Sequence, residues 1–358
     1  VNKMRVVFVV VAGLLVMLGI TSCAESPREI FTTGSRVGIS LPTRASASWV
    51  LAGNTLNNSV AAAGFKPNLQ FASATNAIHS QKKQISAMIA AKTPLIIVVA
   101  VNAGALGAEL EAANSAGITI IALDRNLAPA GDNERSEANY YIGYDPYLVG
   151  QMQAHGLLAG LRSTKGVGPY NVELFSGGVD DASSRIRFNG AMSILTPHIA
   201  ANTLVVRSGD TSFSETTTEG GLTQNVADRM SLLMATHYKT AQLDGVFTPT
   251  DSMASAVIAA VHGSRPITTG AEPEASTVHL LGNLPLHSTV YSSVIAEGAA
   301  AVSLLRQLSQ GLKPLTTVEA KSGITAPFIS LRPILVTNLN AGAAFADNAS
   351  LSGVRLGP

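Results

Sequence analysis

The sequence predicts an α/β protein made of two successive parallel-sheet domains, and three observations predict it. Short apolar runs rich in β-branched residues recur along the chain, Leu95-Ile96-Ile97-Val98-Val99 being the clearest. A helical stretch follows most of these runs, the alternation that builds right-handed βαβ units on a parallel sheet. The series then restarts near Asn171, and 358 residues are ample for two domains. With aromatics at only 5 % and alanine abundant, the helices are expected to pack closely on the sheets.

In chain order, Val37-Gly38-Ile39-Ser40 reads as a buried strand and Trp49 to Ala63 as a helix stopped by Gly64. Asn68 to Phe71 is the next strand. Asn76 then offers an N-cap to a helix whose apolar face is Ile78, Ile85, Met88 and Ile89. Leu95 to Val99 has the continuous apolar character of a strand covered on both faces. Ala105 to Ala116 and Ile118 to Ile121 add another helix and strand, and Tyr140 to Tyr144 a fifth strand. The following helix places Leu148, Met152, His155 and Ala159 on one stripe, with His155 read as a packing residue. The second series runs through Asn171 to Phe175, a helix over 186–199, Leu204 to Val206 and a helix over 222–238. It continues with Asp244 to Phe247, a helix over 252–262 and Pro266 to Thr269.

Ahead of the fold, Lys3 and Arg5 precede an apolar run from Val6 to Ile20. That run is shorter than the roughly 20 residues of a membrane span and has the layout of a secretory signal. Thr21-Ser22 before Cys23 resembles a bacterial lipobox, which makes residues 1–22 a lipoprotein signal peptide, Cys23 the lipidation site and 23–35 a tether. Several acyl chains hold a protein durably where one does not. Losing Lys3 and Arg5 moves a chain of 24 basic and 23 acidic residues to one charge below neutrality. No strong field is left to attract nucleic acid. Cys23 is the only cysteine, so no disulfide is available and the core must be large enough to stand unaided.

Open parallel sheets bind ligands at the carboxyl ends of their strands, and the notable polar residues fall in those loops. They are Arg44 with Ser48 and Trp49 after the first strand, Asn102 after the third, Asp124-Arg125 after the fourth and Asp145 after the fifth. The second series supplies Asp180-Asp181, Ser183 and Arg185, then Asp251 and Glu272. Each could simply cap a helix or complete an ion pair. Together they suit a neutral polyol, whose hydroxyls meet carboxylate, amide and guanidinium groups while an indole covers its C–H face. Catalytic motifs of the H-E-x-x-H, G-x-S-x-G and P-loop kinds do not occur, the seven histidines lack metal-ligand spacing, and no cofactor or metal is expected.

Several segments, in order, resemble the sugar-binding proteins that feed ABC transporters, of the ribose and galactose type, and among them the xylose-binding and multiple-sugar-binding proteins. They are Val37 to Thr43 with Trp49, Ala122-Leu123-Asp124-Arg125, Gly168 to Phe175, Asp180-Asp181 before Asn189-Gly190-Ala191-Met192, and Ile329 to Thr337. The resemblance implies the type I periplasmic-binding-protein fold, two parallel-sheet domains joined by a three-stranded hinge. It places 36–145 with 292–330 in one domain, 146–291 with 331–350 in the other, and 351–358 in a tail. It also implies that Arg44, Trp49, Asp124, Arg125 and Asp251 match ligand-binding positions. Ser48, Asn102, Ser183, Arg185, Glu272 and Ser292 stand where relatives carry other residues, which points away from simple xylose or glucose specificity. Arg185 could recruit a negatively charged substituent.

The expected function is a non-catalytic, lipid-anchored extracytoplasmic receptor, a monomer, that captures a monosaccharide or polyol between its domains and delivers it to an ABC permease. A receptor docking on a membrane sensor is the alternative, with a carbohydrate-processing enzyme behind it. A sugar-responsive repressor would need a DNA-binding headpiece that the leader and tether do not provide.

Overall fold

The computed structural model describes residues 31–45, 47–127, 136–179, 182–218, 222–261, 265–281, 286–317 and 322–356. Cys23 lies outside them, as do Asp180 and Asp181. The first half runs β1 (Arg36–Leu41), α1 (Ala47–Ala62), β2 (Lys66–Phe71), α2 (Ala77–Ala90), β3 (Leu95–Val98), α3 (Gly107–Ser115), β4 (Thr119–Leu123), β5 (Tyr140–Tyr144). The second runs α4 (Pro146–Lys165), β6 (Tyr170–Leu174), α5 (Ala182–Ala200), β7 (Leu204–Val206), α6 (Phe213–Thr216), α7 (Thr223–His237) and β8 (Gly245–Phe247). It goes on through α8 (Asp251–Ala260), β9 (Ile267–Ala271), α9 (Ala275–Val278) and β10 (Leu286–Tyr291). Last come α10 (Val294–Ser309), β11 (Phe328–Leu331), β12 (Ile334–Val336), α11 (Ala341–Ala344) and α12 (Ala349–Ser352).

These strands form two six-stranded sheets, ordered β11-β5-β4-β3-β1-β2 and β12-β10-β9-β8-β6-β7. The two orders correspond strand for strand, so β4 and β9 hold equivalent places, as do β3 and β8. Pairing is parallel except for β10 with β12, which is antiparallel. The architecture is the type I periplasmic-binding-protein fold. The chain passes from sheet to sheet after β5, after β10 and between β11 and β12.

Burial explains why these runs became strands. All four residues of β3 are buried, and Val37, Ile39 and Leu41 of β1 are fully covered. Trp49 packs against the same cluster, which includes Ala301, Leu304 and Leu305 of α10. Helix α10 thus returns to the first sheet after β10 has closed the second.

Helix α4 departs from its expected face. Its buried residues include Val149, Gly150, Gln153, Ala154, Gly156, Leu157, Gly160 and Leu161, while Leu148, His155 and Ala159 are exposed. The small residues decide the matter. A Cβ on Gly150 would stand 1.9 Å from the Arg187 carbonyl oxygen, and one on Gly190 would stand 2.1 Å from that of Tyr147. Helices α4 and α5 therefore cross backbone to backbone, and the glycine face turns inward in place of the Leu-Met stripe.

The two ends of the described chain are also more firmly attached than expected. Phe31 stacks on Phe65 at 5.1 Å between ring centroids, and Gly34 N–H donates to Gly64 O at 2.9 Å, so the last part of the expected tether is docked. Leu351 is buried, with Val354 and Leu356 packed against its cluster, so much of the expected tail belongs to the core.

Side chains lace the crossings together. Tyr144 donates its hydroxyl proton to Ser293 O at 3.0 Å, Tyr291 donates to Asp347 Oδ1 at 2.8 Å, and the Ser293 hydroxyl donates to the same carboxylate. Asp145 caps α4 through Tyr147 N at 2.9 Å and accepts from the Ser322 hydroxyl. The Tyr291 hydroxyl is pushed up to about 12, first by burial.

Candidate functional site

At the carboxyl end of the first sheet, Asp124 has a φ of 60° and Arg125 N–H donates to Leu123 O at 2.6 Å. This is a γ-turn with positive φ, a strained conformation kept where the surroundings over-determine it. Those surroundings are visible: Asp124 N–H donates to Ile142 O at 2.9 Å and the Tyr141 hydroxyl donates to Asp124 O at 2.8 Å. Burial, with the Asp124 charge second, holds that hydroxyl well above its ordinary pKa.

The turn aims Arg125 across the site. Its Nη1 donates to Ala100 O at 3.0 Å, its Nε stands 4.0 Å from Asp124 Oδ2, and its guanidinium carbon lies 5.4 Å from the Trp49 ring centroid. An ion pair at that distance and exposure contributes little to stability, so its value is to orient the fork of donors. The Ala100 carbonyl is itself held in place. Buried Gln81 donates to Val99 O and accepts from Val101 N–H, each at 2.8 Å, and so brackets it.

The second sheet repeats the plan with different residues. Buried Gln153 donates to Thr248 O at 2.9 Å and Pro249 O at 3.2 Å. Arg187 Nη1 also donates to Pro249 O, at 2.8 Å, and its Nη2 donates to Glu272 Oε1 at 2.6 Å. Glu272 follows β9 as Asp124 follows β4, again with a φ of 60°.

Asp251, the first residue of α8, is completely buried, and neither of its carboxylate oxygens has a hydrogen-bond partner among the described residues. Only glycine could sit opposite it, because a Cβ on Gly270 would lie 2.1 Å from Asp251 Oδ1. Burial pushes this carboxyl well above the usual carboxylate range. The Thr289 hydroxyl opposes that rise without reaching hydrogen-bond geometry, and the Glu272 and Glu274 charges reinforce it. Glu297, in the first turn of α10, is likewise buried and raised, by burial first and the Asp124 charge second.

The remaining expected site residues have local roles or stand apart. Arg44 lies over the Phe71 ring at 4.0 Å, and exposed Arg185 over Phe213 at 4.4 Å. Asn102 accepts from Ala105 N–H at 2.9 Å and so caps the turn that follows. Ser48 is exposed on α1, while Ser183 on α5 and Ser292 after β10 are half-buried. The structure therefore joins Trp49, Asp124 and Arg125 in one cluster and Asp251 with Glu272 in another. Arg187, Glu297, Gln81 and Gln153 were not anticipated. The one available signal was Arg187 itself, two residues beyond Arg185 in a loop-proximal helix.

Two surface depressions, of about 320 and 340 Å³, lie elsewhere, beside Asn114 with Ser136 to Asn139 and beside Leu158, Tyr170 and His198. Both sit at the amino ends of strands and hold none of these clusters. Among the described residues no group of three or more His, Cys, Asp or Glu is placed to hold a metal ion, and no helix is long and apolar enough to cross a membrane.

Paired parallel sheets with acid and arginine clusters at their carboxyl ends have the layout of a solute-binding protein, and the chain is related to the extracytoplasmic sugar-binding proteins of ABC transporters. The chain belongs to the periplasmic binding protein domain family, whose model matches residues 37–313. The family and fold are those of non-catalytic binding proteins. The chain is 30 % identical over 315 residues to the multiple sugar-binding periplasmic receptor ChvE of Rhizobium radiobacter, covering 85 % of this chain and 87 % of that one. It is 30 % identical over 275 residues to the multiple sugar-binding periplasmic protein SbpA of Azospirillum brasilense, covering 75 % of each. An ABC transporter solute-binding protein from Clostridium phytofermentans, solved with β-D-glucose, matches with a TM-score of 0.77 at 26 % identity, over 88 % of this chain and 98 % of that one.

Proposed function

We propose that this protein captures a monosaccharide or related polyol between its two sheets and delivers it to an ABC importer, tethered to the membrane by lipid on Cys23. The observation that carries the reading is the matched pair of clusters at equivalent strand ends. Trp49 with Asp124 and Arg125 supplies an aromatic face, an acceptor and a fork of donors, while Asp251 supplies a buried carboxyl with unused hydrogen-bonding capacity. Sugar hydroxyls both donate and accept, so a ligand can satisfy both kinds of group at once. Sugar-binding relatives and the glucose-bound neighbour support the ligand class.

On this reading the hinge divides 36–145 with 292–330 from 146–291 with 331–350, and binding energy is spent on bringing the lobes together. Arg44, Ser48, Asn102, Asp145, Ser183, Arg185, Glu272 and Ser292 are assigned to the rim or second layer of the cleft. Calorimetric titration with a panel of aldoses, ketoses and polyols tests the reading, and binding of none of them overturns it. Lipid attachment has its own test: metabolic labelling with a fatty-acid analogue should mark the wild type and not Cys23→Ser.

A further inference from the structure

We propose that the Arg187–Glu272 pair is a charge filter, in which Glu272 occupies the guanidinium that would otherwise accept an anionic substituent. The cleft then admits uncharged carbohydrates and rejects their acidic counterparts. This rests on the carbohydrate reading above and adds to it the ligand's charge class and the residues that set it.

Among the described residues, Arg187 is one of two guanidiniums built into the carboxyl end of the second sheet, the other being Arg229, which is paired with Asp210 and bonded to Leu174 O. The Arg187 side chain is 14 % exposed, and it links the loop after β8, through Pro249 O, to the residue after β9, through Glu272 Oε1. Pro249 stands two residues before Asp251, and Glu272 two residues after Gly270, whose Cα adjoins the Asp251 carboxyl. Guanidinium, ion-paired acid and buried acid thus form one group.

A carboxylate or phosphate entering here would meet a guanidinium whose Nη2 is held by Glu272 and whose Nη1 is held by Pro249 O, with the Glu272 charge as the repulsive element on which specificity depends. The other arginines do not offset this. Arg125 is engaged by Ala100 O beside Asp124, Arg44 lies on Phe71 and Arg185 on Phe213. Glu272 is itself 57 % exposed, so solvent screens its longer-range field. Its effect comes from occupying the Nη2 donor at 2.6 Å. The filter is therefore a matter of hydrogen-bond occupancy and should respond to loss of that acceptor.

The test is calorimetry on matched pairs, glucose with glucuronate and galactose with galacturonate, using the full chain. The wild type is expected to bind the better aldose about tenfold or more tightly than its uronate. Glu272→Gly, which suits the positive φ, should take the acceptor off Arg187 Nη2 and raise the uronate-to-aldose affinity ratio by about tenfold. Adding Arg187→Gln in the same chain should cancel that gain. Should Glu272→Gly melt early, Glu272→Asp gives the same comparison, because the shorter acid draws back from the guanidinium and its type tolerates positive φ. An unchanged ratio in a normally melting Glu272 variant overturns the filter, as does a wild type that binds uronate and aldose equally. Binding of no member of either pair, nor of any sugar or polyol in the wider panel, overturns the carbohydrate reading and the filter with it.

Discussion

Asp124 and Glu272 are structural counterparts. Each follows the equivalent strand of its sheet, each has a φ of 60°, and each donates its N–H to the neighbouring strand, to Ile142 O at 2.9 Å and Val290 O at 3.1 Å. Each also has an arginine that reaches a carbonyl two residues beyond the end of the adjacent strand, Ala100 after β3 and Pro249 after β8. The arginines come from unrelated places, one adjacent to its acid and the other on α5. The two sheets thus arrive at the same arrangement by different sequence routes.

Arg125→Ala should weaken binding of the preferred sugar by about ten- to a hundredfold, the cost of losing hydrogen bonds made by a charged donor. Trp49 is the only tryptophan, so its emission reports on this cluster directly. Titration should shift that emission in the wild type, and the shift should move to correspondingly higher ligand concentration in the variant.

Asp251→Asn should separate stability from binding. An acid raised in the folded state keeps protons that the unfolded chain has released, so its contribution is fully present below the ordinary Asp range and is lost as pH rises through the folded value. The ligand-free wild type should therefore melt higher as pH falls from neutrality toward that range. The variant should flatten this dependence and gain about 1–3 kcal/mol at neutral pH. Its sugar affinity should fall, which calorimetry on the same samples checks.

Glu297→Gln makes the companion case in the first sheet. The sign is the same, since burial raises this carboxyl and the Asp124 charge raises it further. Melting curves should lose part of their pH slope in Glu297→Gln, and a smaller part in Asp124→Asn, where the buried acid stays but its charged neighbour is gone.

Gly150→Ala tests the helix crossing. Alanine favours a helix over glycine by about 1 kcal/mol, but its Cβ would meet the Arg187 carbonyl at 1.9 Å, and backbone yields poorly. Overpacking should win, with a net loss of about 1–3 kcal/mol in denaturant unfolding and weaker sugar binding through displaced Arg187.

The alternation of strands and helices was legible because each buried strand needs its own apolar run, as Leu95 to Val99 does. The Asp124-Arg125 pair was legible because it ends such a run. Arg187 was not, because its inward placement depends on how closely α5 approaches α4, which Gly150 and Gly190 decide across thirty-nine residues of intervening chain. The same glycines turned Leu148 and His155 outward. Glu297 was hidden for a related reason: a glutamate in a helix's first turn normally signals the dipole and solvent, and here α10 carries it into the interior.

Among the described residues, Asp347 is the one carboxylate on which two neighbouring side chains beside a passage between the sheets converge. It holds Tyr291 and Ser293, and Ser293 in turn holds Tyr144, so spans that would otherwise bend separately are coupled. A chain cut just before Asp347 would keep every strand of both sheets and still lose the acceptor that ties Tyr291 to Ser293.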